Sequence, residues 1–458
     1  MVFQRQLSKS FDIWLKKKER KTIIVRGARQ VGKSTFVREL ARTHGLRLLE
    51  INLEKNKGLN GIFQSLDVPL ILRELSGIVG CSIKNEKKSL IFLDEIQATP
   101  AAIPALRYFY EEHPDLTIIA AGSLLEFTLK KHNFSMPVGR IEYRFMNPMT
   151  FEEYLQACNE QHLLKEIQTY DFSAIFSLSV HTKLINRLRE YIVVGGMPEA
   201  VSEFVNSGDM SQIATVHRSI LQTYQDDFPK YSKNKDEDLL RTVFNQVPRM
   251  IGKKVKYVNF SNQEKSREVK NAIDTLSLAQ VISPVFHSDC NGFPLGAEID
   301  ENIYKLLFLD IGLLNTSLGM SWSTVNAIQD IHLVNEGPLA EQFIGQELQN
   351  QEGGLVKTSL FYWLRSKKKQ NAEVDYVIGR NGRLVPIEVK SGKSGALRSL
   401  HLFVLEKKPL FAIRFDLNPP SVQKLDHHLP TSERVKYRLV SLPLYMAGQV
   451  ERVIQMLI

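Results

Sequence analysis

A chain of 458 residues is about three times the length of a usual single domain, so two or three separate cores are expected. Its apolar fraction of 43% and charged fraction of 24% fit packed domains and exclude a largely disordered chain. No run of about 18 uncharged apolar residues occurs, and no basic head precedes an apolar stretch at the N-terminus, so no membrane association is expected and the cytoplasm is the expected location.

The first informative element is KTIIVR, residues 21–26, a β-branched run suited to a buried parallel strand. GARQVGKST follows at residues 27–35 and leads into a helical stretch, which gives the order strand, glycine loop, helix. Gly27 and Gly32 allow a tight loop whose N–H groups face phosphate oxygens, and the helix N-terminus adds partial positive charge. Lys33 is then placed to reach the β and γ phosphates of ATP, Ser34 to offer its hydroxyl to Mg2+, and Thr35 to stand one residue further into the helix.

SLIFLDEIQ, residues 89–97, is an apolar strand ending in two carboxylates. Asp94 is expected to hold Mg2+, and Glu95 to polarise an attacking water, which points to hydrolysis as well as binding. LTIIAAGS at 116–123 ends on Ser123, which is expected to orient water near the γ-phosphate, although serines also cap helices. In VGRIEYRFMNPMTFEEYL, Arg140 is the preferred charge clamp and Arg144 the alternative; the arginine acts from the same subunit or a neighbouring one, which leaves the oligomeric state open. Strands near 22–26, 48–53, 90–94, 117–121 and 141–145 make a parallel sheet with helices on both faces.

Residues 182–245 read as helical, broken at VVGGMPEAV by Gly195, Gly196 and Pro198, a break read as a structural joint in preference to a binding loop. Helix, turn and apolar helix patterns then suggest a small winged-helix-like module, read as a packing or linking domain at least as readily as a DNA reader. Lys253, Lys254, Lys256, Arg267 and Lys270 surround its candidate second helix without forming a base-reading set.

Near the C-terminus, GPLAEQFIGQEL reads as a helix carrying Glu341 and Glu347. EVDYVIGRNGRLVPIEVK, residues 373–390, reads as a hairpin around GRNGR. Such pairing brings Asp375 and Glu388 together with Lys390 beside them, the minimum set for metal-dependent phosphodiester cleavage, and Glu341 can complete the metal shell. The net charge of +9, with Lys367, Lys368, Lys369, Arg380, Arg383 and Lys393 near this centre, favours a polyanion, DNA foremost among nucleic acids. Cys81, Cys158 and Cys290 are too widely spaced for a zinc cluster or a disulfide framework.

The ordered set GARQVGKST, LDEIQ, AAGSLL, GRIEYRFMNPMTFEEYL, GGMPEAV, AEVDYVI and IEVKSG resembles a family of prokaryotic AAA-like P-loop ATPases with a C-terminal domain of uncharacterised function. The resemblance implies a C-terminal domain like the PD-(D/E)xK restriction-endonuclease fold. It implies phosphate binding by Gly27, Gly32, Lys33 and Ser34, Mg2+ and water chemistry at Asp94 and Glu95, and nuclease-type residues Asp375, Glu388 and Lys390. Val374 stands where the named motif has proline.

The expected fold class is therefore α/β. An ATPase domain is expected over 1–180, a helical extension over 181–235, a winged-helix-like module over 236–310 and an α/β restriction-endonuclease-like domain over 311–458. The expected function is a Mg2+-dependent ATP-hydrolysing switch for a domain that faces nucleic acid. The alternatives are an ATP-regulated metal-dependent DNA nuclease and an ATP-dependent regulator of a protein partner.

Overall fold

A computed structural model describes residues 2–83, 88–131, 139–231, 234–320, 336–365, 372–392, 395–429 and 433–457. Lys367, Lys368, Lys369 and Lys393 of the expected basic cluster lie outside the described residues. The chain divides into two units. One comprises Met1–Pro148, Leu278–Gln280 and Glu352–Lys357, and the other Met149–Ser277, Val281–Gln351 and Thr358–Ile458.

In the first unit, β1 (Thr22–Arg26) buries every side chain but Arg26, as an apolar run does when both faces of a parallel sheet are covered. It joins β2 (Arg47–Asn52), β3 (Ser89–Asp94), β4 (Ile118–Gly122) and β5 (Ile141–Phe145) in the order β2-β3-β4-β1-β5, with every pair parallel. Ile24, Ile51, Leu93 and Ala120 share a core with Phe63, Leu72, Leu106 and Phe109 from the covering helices. Parallel strands put their C-terminal ends on one edge, and this edge gathers the glycine loop, Asp94 and Ser123. The Phe145 N–H donates to the Gly354 carbonyl (2.7 Å), so the late segment Glu352–Lys357 extends the edge of this unit.

The second unit begins with helices and ends in an eight-stranded sheet of order β12-β13-β11-β10-β9-β8-β6-β7. These strands are β6 (Ile282–Ser288), β7 (Ile299–Phe308), β8 (Leu360–Arg365), β9 (Ala372–Arg380), β10 (Arg383–Val389), β11 (Phe411–Asp416), β12 (Ser421–His428) and β13 (Arg434–Pro443). The region expected to form a winged-helix-like module has helices Asn234–Met250 and Ser266–Leu278 followed by a β6–β7 hairpin, and β6 also pairs in parallel with β8, so the hairpin is one end of the large sheet. The cause is local: Tyr304–Phe308 of β7 is buried on both faces and needs cover on each. Helix Phe151–Ala157, which lies within the expected ATPase domain, belongs to this second unit, where the Phe151 N–H donates to buried Glu347 (2.9 Å).

Gly195 and Gly196 form a joint of this unit, as the break in the helical pattern suggested. The Met149 N–H donates to the Gly196 carbonyl (2.7 Å), and the Gly196 N–H donates to Oδ2 of fully buried Asp310 (2.6 Å). Burial pushes the Asp310 carboxyl up to about 6 against the pull of its N–H donors. A Cβ on Gly196 would lie 2.1 Å from the Met149 carbonyl oxygen. Gly196→Ala is therefore expected to destabilise the unit by about 2 to 3 kcal/mol through forced backbone displacement; urea unfolding with an unchanged midpoint would refute the close-approach argument.

Candidate functional site

The glycine loop is shaped by backbone constraints. Gly27 has φ +156°, and a Cβ there would lie 2.2 Å from the Met146 carbonyl oxygen, while Gly32 at φ +95° precedes helix Lys33–Thr43. Phe36, Val37, Leu40 and Ala41 bury the inner face of that helix and fix its N-terminus against the sheet edge. Arg5 fastens the loop from outside, donating to the carbonyls of Val31 (3.0 Å) and Asn147 (2.6 Å). No sequence motif marks Arg5.

Lys33 is 9% exposed and donates to the loop's own carbonyls, Gly27 at 3.0 Å and Ala28 at 2.7 Å. Burial lowers its pKa to about 8, although Glu95 and Asp94 pull the other way. The Ser34 hydroxyl donates to Asp94 (3.1 and 3.2 Å), and burial, reinforced by Glu95, pushes the Asp94 carboxyl up. This oxygen pair beside the glycine loop fits a hard divalent cation such as Mg2+. Thr35 is exposed in the first turn of the helix.

Glu95 sits in the left-handed region at φ +53° and ψ +49°, a conformation costing about 1 kcal/mol for a residue with a side chain. The Gln97 amide donates to its Oε2. Gln97 also lies over Gly122, where a Cβ would meet its Oε1 at 2.3 Å, so the amide reaches from Glu95 to the tip of β4. The signal for Gln97 was present in LDEIQ, two residues beyond the acid it holds. Next to Gly122, the Ser123 hydroxyl is buried and has no hydrogen-bond partner among the described residues, as a side chain aimed at a ligand would be.

The two arginines are not brought to the loop. Arg140 precedes β5, whose first residue pairs with Thr22 at the start of β1, so it stands at the sheet end opposite Gly27 and pairs with Glu111 (3.0 Å). Arg144 is buried and engaged by Glu142 (2.8 Å) and the Tyr143 carbonyl (2.8 Å). In this chain neither serves its own loop as the expected clamp.

In the second unit, β9 and β10 form the expected hairpin, turning through Asn381 and Gly382 at φ +50° and +71°, the backbone that a two-residue turn requires. The register Tyr376↔Ile387 puts Glu388 opposite Asp375 at the next pair. The Val389 N–H donates to Asp375 Oδ2 (2.7 Å), and Lys390 Nζ donates to Glu388 Oε1 (2.6 Å). Burial pushes Asp375, Glu341 and Glu388 up, and repulsion from Asp375 adds to the rise at Glu341 and Glu388.

The carboxylates expected as metal ligands thus converge, but a lysine stands among them. Lys305 of β7 is 5% exposed at its side chain and bonds Glu341 Oε2 (3.0 Å) and Glu373. Its flank YKLLF shows one charge in a buried strand, a signal the sequence reading passed over. The donor set therefore does not fit the expected metal shell: Glu341 is engaged by Lys305, Glu388 through Oε1 by Lys390, and Asp375 through Oδ2 by a backbone N–H. Among the described residues, no group of three or more His, Cys, Asp or Glu is disposed to hold a metal ion. Of the expected basic cluster, Arg380 is paired with Glu451 and Arg383 is exposed. No described helix is long and apolar enough to cross a membrane.

Residues 19–155 match a family described as AAA domain, residues 185–324 a domain of unknown function (DUF8612), and residues 336–419 a domain of unknown function (DUF4143). No curated protein matches the sequence. Among solved structures, the chain is similar to the Walker-type ATPase PABY2304 of Pyrococcus abyssi, at 15% identity and TM-score 0.44, covering 69% of this chain and 96% of that one. It is also similar to the Aeropyrum pernix ORC2 protein in ADPNP–ADP complexes (10%, 0.33, 71% and 96%) and to the FIGL-1 AAA domain (15%, 0.22, 36% and 59%). The first unit is thus a P-loop domain, by its loop, its sheet and the match to an AAA family, which runs from residue 19 through the end of its main stretch to residue 155.

Phosphate oxygens would restore the charge that burial removes from Lys33. Nucleotide binding is therefore expected to take up about half a proton at pH 8 and about a tenth at pH 7; calorimetry in buffers of differing ionisation enthalpy showing no rise with pH would refute this. Gln97→Ala is expected to lower turnover by about one to two orders of magnitude with nucleotide affinity unchanged, which paired turnover and binding measurements check.

Proposed function

We propose that the chain is a Mg2+-dependent ATP-hydrolysing switch whose nucleotide state governs a second unit of restriction-endonuclease-like character that faces nucleic acid, DNA foremost. The observation that carries the ATPase part is the alignment of Lys33, the Ser34–Asp94 pair and Glu95 at one sheet edge. Ser34 and Asp94 would hold Mg2+, which when bound neutralises charge on the β and γ phosphates. Lys33 trades its loop carbonyls for phosphate oxygens. Glu95, held by Gln97, takes a proton from water, and the Ser123 hydroxyl orients that water.

For the second unit, the Asp375–Glu388 hairpin with Lys390 beside it supports the restriction-endonuclease likeness. Exposed Lys253, Lys254, Lys256 and Arg267 support contact with a polyanion. The engagement of Glu341 and Glu373 by Lys305 weighs against an ATP-regulated metal-dependent nuclease. It favours, as the second reading, a regulator that binds a nucleic acid or protein partner without cutting.

Lys33→Ala is expected to abolish nucleotide binding, and Glu95→Gln to retain binding while losing about a hundredfold or more in turnover; equal turnover in Glu95→Gln and wild type would remove the role given to Glu95. Affinity for duplex DNA should fall steeply and linearly in log–log form as salt rises. A flat salt dependence, together with ATP-dependent capture of a defined protein, would replace the nucleic-acid reading with the protein-regulator one.

A further inference from the structure

Lys305 lies on β7, between Tyr304 and Leu306, where the strand is buried on both faces. Its side chain is 5% exposed, unlike surface lysines that carry the charged end outward. The ammonium meets Glu341 from helix Glu336–Leu348 at 3.0 Å and Glu373 from β9, and stands 5.3 Å from the centre of the Tyr362 ring on β8. Elements far apart in sequence thus converge on one positive charge. Burial alone would lower the Lys305 pKa, yet Glu341, Glu373 and Asp375 outweigh burial and hold it above its ordinary value.

We propose that Lys305 is a built-in cation that takes the place of a divalent metal at this carboxylate cluster, leaving a centre that assembles without metal and does not cut phosphodiesters. A divalent ion needs several unshared oxygens around it. Here Glu341 and Glu373 are spent on Lys305, Asp375 Oδ2 on the Val389 N–H, and Glu388 Oε1 on Lys390. Glu388 Oε2 is buried without a hydrogen-bond partner among the described residues, and it is the oxygen that Lys390 leaves unengaged on that acid. An entering divalent ion would also face two resident ammonium groups. The inference rests on contacts inside the second unit and is independent of the ATPase reading.

The test is titration of the full-length, nucleotide-free chain with Mn2+, reading free ion by electron paramagnetic resonance. Wild type and Asp375→Asn are expected to bind the same number of ions. Lys305→Met/Glu373→Gln removes one cation and one anion, so the net charge of the cluster is unchanged; it is expected to bind one further ion, which Asp375→Asn in that background abolishes. A Mn2+ ion bound by wild type and lost in Asp375→Asn would overturn the proposal. So would Mn2+-dependent plasmid cleavage lost in Asp375→Asn, or a double variant that melts cooperatively yet gains no ion. If the double variant does not fold, the comparison of wild type with Asp375→Asn decides alone. ATP turnover, measured in parallel, reports separately on the nucleotide site.

Discussion

Taking a lysine ammonium out of water costs several kcal/mol unless partners surround it, and two lysines of this chain meet that demand in opposite ways. Lys33 is buried against two backbone carbonyls, which compensate it poorly, so its pKa falls and the loop has a standing demand for anion. Lys305 is buried against Glu341 and Glu373 with Asp375 close by, so its pKa rises and its demand is met inside the fold. The first arrangement suits a ligand that comes and goes. The second suits a permanent part of the architecture.

The helix Glu336–Leu348 shows how the second unit accommodates buried polarity. Gln342 receives the Phe308 N–H and donates to the Phe308 carbonyl, both at 2.8 Å, and so caps the end of β7. Gln346 accepts from the Ile311 N–H (2.9 Å) and donates to the Tyr191 hydroxyl (3.0 Å), while Glu347 receives the Phe151 N–H. Gly345 lets the helix approach the sheet, since a Cβ there would lie 2.4 Å from the Tyr376 hydroxyl. Glu341 on this helix is thus held in place by neighbours that satisfy backbone groups elsewhere in the unit.

What could be read from the sequence divides by distance along the chain. The glycine loop, the paired acids after β3 and the Asn381–Gly382 hairpin are each written in fewer than about twenty consecutive residues, where spacing alone fixes geometry. The five strands of the first sheet were legible for the same reason: β1, β3 and β4 are short apolar runs, and β2 and β5 interleave apolar with polar residues. Lys305, Arg5 and the partners of the two arginines were not legible. Their roles depend on which distant element lies opposite, and Lys305 meets Glu341 across 36 positions of sequence. The membership of β6 and β7 in the large sheet was hidden likewise, because the parallel pairing of β6 with β8 joins residues more than seventy positions apart.

The first unit is written in three separate stretches of the chain, and its β5 edge is completed by the Gly354 carbonyl. On a ribosome, Glu352–Lys357 emerges about two hundred residues after Pro148, roughly 10 to 40 s later at ordinary elongation rates. The nucleotide-binding sheet therefore spends its early life with Phe145 lacking that partner. Most of the second unit's described helices, and the strand that carries Lys305, are synthesised during that interval.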